Sequence, residues 1–309
     1  MPKIKYEEKK FRSEALAIIE QANIFIADYA SQGLSLTLRQ LYYRFVSRAL
    51  IPNTEKSYTR LGNIISDARR AGMIDWDAIV DRTRFLRTVS NWGKPQDILQ
   101  SAMDSYHRDL WASQPTRIEV WIEKDALVGV INEVCRTNDV PFFSCRGYVS
   151  DSEMWAGARR QLRFQKKEQK VLILHLGDHD PSGIDMTRDI TDRLYMFAGY
   201  TNIKVRRIAL TMEQITDLNP PPNPAKITDS RYESYRDIYG EESWELDALE
   251  PQYIIDLIAT EINAVRDAVK WQAAVKEQEA ERGQIEEVIQ KWDELFENED
   301  DNEEIEEDE

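Results

Sequence analysis

Two carboxylates, one residue apart, follow a short apolar run in the middle of the chain. The run from Val171 to Leu176 is apolar except for His175, and Gly177 separates it from Asp178 and Asp180. A short, continuously apolar run predicts a central strand of a parallel sheet, and ligands bind just beyond the carboxyl ends of such strands. Two acids this close repel each other unless a cation lies between them, and ligation by oxygen alone favours Mg²⁺ over zinc.

A third acid stands at the end of another predicted strand. Acids are common in turns, so the D-x-D pair alone is a weak indication of a metal site. Residues Arg117 to Ile122 alternate between polar and apolar, and Glu123 follows them directly. Because the carboxyl ends of parallel strands meet at one edge of a sheet, we expect Glu123 to lie beside Asp178 and Asp180.

A tyrosine and an arginine share one face of a predicted helix near the N-terminus. Thr37 and Gln40 match a capping box that begins this helix, which ends before Pro52. Tyr43 lies off the apolar stripe and on the same face as Arg39, one turn earlier. The pair fits an ordinary helix surface. It also fits a phenol nucleophile beside a guanidinium, which binds a phosphate and stabilises the phenolate of a group whose usual pKa is about 10.

The first 90 residues are predicted to form a winged-helix DNA-binding domain. Apolar residues recur at helical spacing over residues 10–32, 37–50 and 57–71, and residues 73–80 are predicted to form one or two short strands. Three short helices followed by a small β wing are typical of winged-helix domains.

The rest of the chain is predicted to form an α/β domain and a helical extension. After a linker at residues 91–116, strands at 117–122, 141–145, 171–176 and 204–210 alternate with helices, which predicts a parallel α/β domain over 117–218. Prolines in residues 219–224 mark its boundary. Residues 219–296 are predicted to be helical, with a break at Gly283, and the acidic tail 297–309 is predicted to be disordered.

The net charge of −16 is distributed unevenly along the 309 residues. From Glu241 onward there are 25 acidic and 5 basic residues, which leaves 31 acidic and 35 basic residues in positions 1–240. The body is therefore mildly basic, as a DNA-binding protein requires. The acidic tail either only increases solubility or competes with DNA for binding to the basic body of the protein.

Other features of the composition favour an intracellular protein without a membrane segment. No apolar run reaches the roughly 18 residues that cross a bilayer, and the N-terminus lacks the apolar core of a signal peptide. Two cysteines are too few for a disulfide framework or a zinc cluster of their own. His175 and His179 lie on a strand-to-turn segment, where they share no helix face, so we expect His175 to pack inside the sheet rather than to bind zinc.

Three motifs resemble, in the same order, those of the topoisomerase VI A-subunit family, which includes the meiotic double-strand-break protein. Arg39-Gln40-Leu41-Tyr42-Tyr43 resembles the family's tyrosine motif, although Gln40 stands where the family usually has an acid. Glu123-Lys124-Asp125-Ala126 resembles its glutamate motif. Asp178-His179-Asp180-Pro181-Ser182-Gly183-Ile184-Asp185 resembles its D-x-D-P-x-G-x-D motif, and Gly147-Tyr148 matches a Gly-Tyr that the family has between the last two.

The resemblance implies a winged-helix domain joined to a Toprim domain, working as a homodimer on double-stranded DNA. Tyr43, supported by Arg39, would attack a phosphodiester and become linked to the 5′ phosphate, each tyrosine meeting the metal site of the opposite protomer. Glu123, Asp178 and Asp180 would hold Mg²⁺, and Glu123 would also move a proton.

Full topoisomerase activity in the family needs a separate ATPase subunit. This chain has no P-loop or other nucleotide-binding signature, and we interpret it as a compact viral or plasmid-type relative. Two other functions fit the same residues. A Toprim nuclease would hydrolyse DNA with a metal-activated water and use Tyr43 only structurally. A non-catalytic DNA-binding module would bind DNA regardless of chelator and break no strand.

Overall fold

The computed structural model describes residues 3–31, 33–80, 89–165, 168–199 and 202–292. The chain forms two compact units, one of Met1–Phe85 with Arg117–Ala264 and one of Leu86–Thr116 with Val265–Glu309. Within the described ranges, no helix combines the length and the apolar character that crossing a bilayer requires. The acidic tail, 297–309, lies outside those ranges.

The helices and strands alternate over most of the first unit. The strands of the main sheet are β1 (Thr116–Ile122), β2 (Phe142–Ser144), β3 (Lys170–Leu176) and β4 (Ile203–Ala209). The helices found among the described residues are α1 (Ser13–Ser31), α2 (Leu38–Ser47), α3 (Glu55–Arg70), α4 (Pro95–Ser105), α5 (Val128–Thr137), α6 (Asp151–Gln165), α7 (Pro181–Ala198), α8 (Met212–Leu218), α9 (Tyr232–Tyr239), α10 (Pro251–Val265) and α11 (Ala268–Gln290).

The main sheet has four parallel strands in the order β2-β1-β3-β4. Each strand lies within one or two residues of its prediction, so the predicted α/β class is confirmed. β3 is buried from Val171 to Leu176, and His175 packs inside the sheet as expected. β1 and β3 are neighbours at the centre, because the Glu123 amide donates to the Leu176 carbonyl at 2.8 Å. Their carboxyl ends therefore bring the three predicted acids to one edge.

The three predicted N-terminal helices are present and share one apolar core. Thr37 and Gln40 form both bonds of the predicted capping box, which begins α2. Gln40 thus has a structural use at the position where the family usually has an acid. Tyr42 lies in the core as predicted, but Tyr43 is also buried, with 5% of its surface exposed. The helical spacing of apolar residues placed Tyr43 off the apolar stripe. Tyr43 is nevertheless buried, because a later segment of the chain, Leu246–Ala248, packs against α2.

The predicted short strands of the wing are not found in residues 73–80. These residues form bends and irregular backbone, and Ile79 makes an isolated parallel bridge with Leu36. The following residues, 81–88, lie outside the described part of the chain. The winged-helix assignment therefore stays a prediction, whereas the three helices that it requires are observed.

The second unit contains a helix in the segment that was predicted to be a linker. α4 packs against α11, the Tyr106 hydroxyl donates to Glu281 at 2.6 Å, and Trp111 meets Trp271 edge-on with ring centroids 5.6 Å apart. The predicted break at Gly283 is wrong, because α11 continues through it. α11 begins after Asp267, whose carboxylate accepts hydrogen bonds from the amides of Val269 and Lys270 and so caps the helix.

Candidate active site

Glu123 and Asp178 meet where β1 and β3 end. The Asp178 amide donates to Oε2 of Glu123 at 2.8 Å. Gly177 passes so close that a Cβ on it would stand 2.9 Å from the same oxygen, so a larger residue there would displace the carboxylate. Burial raises the pKa of Glu123, although the amide of Asp178 and the charge of Lys124 oppose the shift.

The carboxylate of Asp178 has two partners that come from different parts of the chain. Its Oδ1 accepts from the Leu246 amide at 2.8 Å, and its Oδ2 lies 2.8 Å from Nζ of Lys124. Burial and the charge of Glu123 together raise the pKa of Asp178 to about 7, against the opposing charge of Lys124. The predicted proximity of Glu123 and Asp178 is therefore observed, together with a cation that already pairs with the acid.

Asp180 lies nearby but directs one oxygen to the start of α7. Its Oδ1 accepts from the Gly183 amide at 2.6 Å and from the Ser182 hydroxyl at 3.0 Å, which caps the helix. A Cβ on Gly183 would stand only 2.2 Å from the Asp178 carbonyl, so this turn requires glycine. Over the described ranges, no three acidic, histidine or cysteine side chains converge as the ligands of one metal ion do.

Arg207 on β4 fixes the D-x-D turn, a role that the sequence analysis missed. Its guanidinium donates to the carbonyls of Gly177 at 2.8 Å, Asp178 at 2.5 Å and Gly183 at 2.9 Å. Burial lowers the pKa of Arg207, and the neighbouring acids oppose that shift. The only indication of this role in the sequence was the position of Arg207 near the end of a predicted strand, at the edge of the sheet where ligands bind.

A second acidic pair, Glu245 and Asp247, joins the site from the C-terminal region. Nζ of Lys124 lies 2.6 Å from Oε2 of Glu245 and 3.6 Å from Oδ2 of Asp247. Arg39 pairs with both acids as well, its Nε lying 2.7 Å from Oδ2 of Asp247. The Asp247 side chain is fully enclosed, and despite these ion pairs its oxygens accept no hydrogen bond of normal geometry from the described residues.

Tyr43 and Arg39 reach the same cluster from α2. The Arg39 guanidinium lies 5.7 Å from the centre of the Tyr43 ring. Burial raises the pKa of Tyr43 well above its usual value, the charge and hydrogen bond of the Glu245 carboxylate raise it further, and Arg39 opposes them. A cleft of about 280 Å³ opens at this point, with Tyr43, Arg39, Glu245 and Asn223 in its lining.

The structure thus brings together the phenol and the acids within one chain. The resemblance implied that each tyrosine meets the acids of the opposite protomer, whereas here Tyr43 and Glu245 line one cleft, Glu245 pairs with Lys124, and Lys124 pairs with Asp178. A second protomer is not needed to complete this set of contacts.

The cluster carries more negative than positive charge. Its members are the acids Glu123, Asp178, Asp180, Glu245 and Asp247 and the cations Arg39, Lys124 and Arg207. With all groups ionised, two negative charges are left, which is the charge that one divalent cation neutralises. The donors are carboxylate oxygens, the ligands that Mg²⁺ prefers, so their chemistry suits that ion, although no three of them converge on one point in the described residues.

The fold and the site define a class: an α/β protein with a cluster of acids, three cationic side chains and a phenol where the strands of a parallel sheet end. Comparison with protein-family models and with curated proteins finds no match for this chain. Its function is therefore argued from the residues of this site and from the motifs that supply them.

Proposed function

We propose that the chain is a Mg²⁺-dependent, DNA-cleaving enzyme of the topoisomerase VI A-subunit type, in which Tyr43 forms a covalent link to DNA. The observation that carries the proposal is a connected series: Tyr43 and Glu245 line one cleft, Glu245 pairs with Lys124, and Lys124 pairs with Asp178. Side chains from all three motifs, which lie far apart in the sequence, meet in that series.

In the proposed reaction, a phosphoryl transfer, each of these residues has a separate role. The Tyr43 oxygen attacks the phosphorus, and the product is a 5′-phosphotyrosyl link with a free 3′ hydroxyl on the broken strand. Arg39 and Lys124 are the cations in reach of an entering phosphate, and both stabilise its charge as the new bond forms. Because one ester replaces another, the reverse reaction reseals the strand.

Glu123, Asp178 and Asp180 would hold the magnesium ion in this proposal. When bound, it neutralises charge on the phosphate and orients the scissile group. Two observations support these ligands: all three acids lie at the ends of neighbouring strands, and the cluster has an excess of negative charge that burial makes unfavourable. Lys124 competes with the ion for Asp178.

The finer assignment of the fold belongs to the same proposal. Helices α1–α3 would form a winged-helix domain that binds double-stranded DNA, and the parallel sheet with α5–α7 would form a Toprim domain. Two protomers, each with its own tyrosine, would break both strands inside the cell, and a separate ATPase subunit would be needed for strand passage.

One observation favours the nuclease as a second candidate. Tyr43 is only 5% exposed and holds its proton strongly, as a structural tyrosine would. In that case a metal-activated water would attack the phosphate, and Tyr43 would only support Glu245 and Arg39.

Incubation with supercoiled plasmid and Mg²⁺, with and without protease after denaturation, tests the proposal. The wild type is expected to retain cleaved DNA on denatured protein until protease releases it, and Tyr43→Phe to abolish both adduct and cleavage. Tyr42→Phe is the matched control, since it removes a neighbouring phenol hydroxyl that donates to Asn53 at 2.9 Å. Breaks without an adduct in wild type and Tyr43→Phe would establish the nuclease, and chelator-insensitive binding without breaks would establish the non-catalytic module.

A further inference from the structure

The proposed reaction requires a group that takes the proton of the Tyr43 phenol. Two of the charged groups that act on this phenol, Arg39 and Lys124, are cations and cannot accept it. The third is Glu245, whose carboxylate lines the same cleft as Tyr43 and pairs with the Arg39 guanidinium that lies over the Tyr43 ring. The acids predicted from the motifs lie on the far side of Lys124, where Asp178 contacts the ammonium group.

We propose that Glu245 is a further catalytic residue, the general base that removes the phenol proton as Tyr43 attacks. This inference rests on the proposed function. The proton passes from the Tyr43 oxygen to the Glu245 carboxylate while the oxygen forms a bond to phosphorus. The bond from phosphorus to the 3′ oxygen breaks, and its electron pair stays on that oxygen, which takes a proton from water. In resealing, the departing phenolate recovers its proton from Glu245.

The contacts of Glu245 make its basicity depend on the substrate. Burial alone would raise the pKa of Glu245, but Lys124 and Arg39 together lower it to about 2, so that in the free protein it is a weak base. The same two cations are the groups that an entering phosphate pairs with. When Lys124 and Arg39 pair with the phosphate, their charges no longer lower the pKa of Glu245. The base therefore becomes effective when DNA occupies the cleft.

A comparison with Asp247 distinguishes a general base from a simpler role for Glu245, that of a substrate mimic. Glu245 would also slow the reaction if it merely occupied the phosphate-binding cations as a substrate mimic. Asp247 pairs with the same Arg39 and lies 3.6 Å from Lys124, but its side chain is fully enclosed and does not line the cleft that Tyr43 and Glu245 share. A substrate mimic predicts similar effects of neutralising either acid, whereas a general base predicts that only Glu245 is needed for proton removal.

The test is single-turnover formation of the covalent adduct on an end-labelled DNA duplex with Mg²⁺, for wild type, Glu245→Gln and Asp247→Asn. Glu245→Gln is expected to slow the adduct about 10²- to 10⁴-fold, the usual contribution of a general base, with DNA binding equal to or tighter than wild type. Glu250→Gln is the matched control, because Glu250 lies five residues further along, pairs with Arg44 and is half exposed. It is expected to react at the wild-type rate.

A pH profile gives a second readout that a purely structural role would not change. In Glu245→Gln, hydroxide has to remove the phenol proton, so the adduct rate should rise about tenfold per pH unit between about pH 7 and 9. The wild type should show a smaller rise. If Glu245→Gln fails to fold by circular dichroism, Glu245→Asp retains the charge but withdraws the carboxylate, and about a 10²-fold loss is expected.

The outcomes separate the inference from the function on which it rests. If the wild type forms no adduct, the proposed function fails. If the wild type forms one and Glu245→Gln or Glu245→Asp forms it as fast or faster, the inference fails and the function stands. An equal loss of rate in Asp247→Asn would also overturn the inference, since the effect would then come from charge balance.

Discussion

Lys124 is the residue on which the charge balance of the site depends most. Its side chain is 15% exposed, and its ammonium group lies 2.8 Å from Asp178, 2.6 Å from Glu245 and 3.6 Å from Asp247. The substitution Lys124→Met keeps most of the length and the apolar stem of the side chain but removes the charge. We expect it to destabilise the protein in chelator and to make Mg²⁺ a stronger stabiliser.

The magnitude follows from the two short ion pairs. At about 2.7 Å and an effective dielectric constant of about 20, each is worth roughly 6 kcal/mol before desolvation is subtracted. Releasing the buried ammonium recovers much of that, and removing one partner of a buried pair costs about 3–5 kcal/mol in practice. We therefore expect Lys124→Met to lower the free energy of unfolding by about 3–5 kcal/mol at pH 8 without metal.

The loss should depend on pH in a direction that can be worked out. Burial, with Glu123 nearby, already raises the pKa of Asp178 to about 7 in the folded protein, and removing Lys124 raises it further. A carboxyl whose folded pKa exceeds its unfolded value takes up a proton on folding, so its contribution to stability grows as the pH falls. The destabilisation by Lys124→Met should therefore be smaller at pH 6 than at pH 8. It should shrink by up to about 1.4 kcal/mol per pH unit above pH 7 and level off below it, where Asp178 of the wild type is protonated as well.

Urea unfolding at both pH values, with chelator and with Mg²⁺, measures these effects. Lys170→Met, at the exposed start of β3, is the matched control and should change stability by less than about 0.5 kcal/mol. Binding of Mg²⁺ stabilises the folded state by mass action, and the gain should be larger in Lys124→Met, where no ammonium competes for Asp178. A variant as stable as wild type at pH 8 in chelator, or an equal gain from Mg²⁺ in both proteins, would refute this reasoning.

Two further predictions concern the same sheet edge. Burial, with the charge of Arg207, lowers the pKa of His175 to about 3, so its contribution to stability is complete above about pH 6.5 and is lost as the pH falls below that value. By pH 5 the wild type should lose about 2 kcal/mol relative to His175→Gln in urea unfolding, and parallel pH profiles would contradict this. Gly183→Ala should cost at least about 1–3 kcal/mol in thermal unfolding, because the new methyl group meets the Asp178 carbonyl at 2.2 Å, whereas Gly283→Ala, which meets nothing within 4 Å, should be neutral or stabilising.

Local patterns in the sequence were sufficient for the sheet and for two of its acids. The run from Val171 to Leu176 is continuously apolar because helices cover both faces of β3, and that run predicted both the strand and the position of Asp178. Glu123 followed from the same rule applied to β1. The capping box at Thr37 was equally local, since its two bonds join residues three apart.

The parts that were missed depend on contacts between distant segments. Tyr43 is buried because the segment around Leu246, about two hundred residues later in the chain, packs on α2. The spacing of apolar residues within one helix cannot reveal such a distant partner. Glu245 and Asp247 were assigned to an acidic appendage because the charge of that region was counted as a whole. Arg207 was missed because an arginine on a strand is usually exposed, and here its partners are backbone carbonyls that leave no trace in the sequence.

The central claim is that the Tyr43 phenol forms a covalent bond with a DNA phosphate beside these acids. The direct measurement is peptide mass spectrometry after the protein has reacted with DNA in Mg²⁺ and has been digested with nuclease and protease. We expect a nucleotide linked through its 5′ phosphate to the peptide that contains Tyr43, absent when chelator replaces Mg²⁺. Cleaved DNA with no modified peptide, or a nucleotide on any other residue, would contradict the claim.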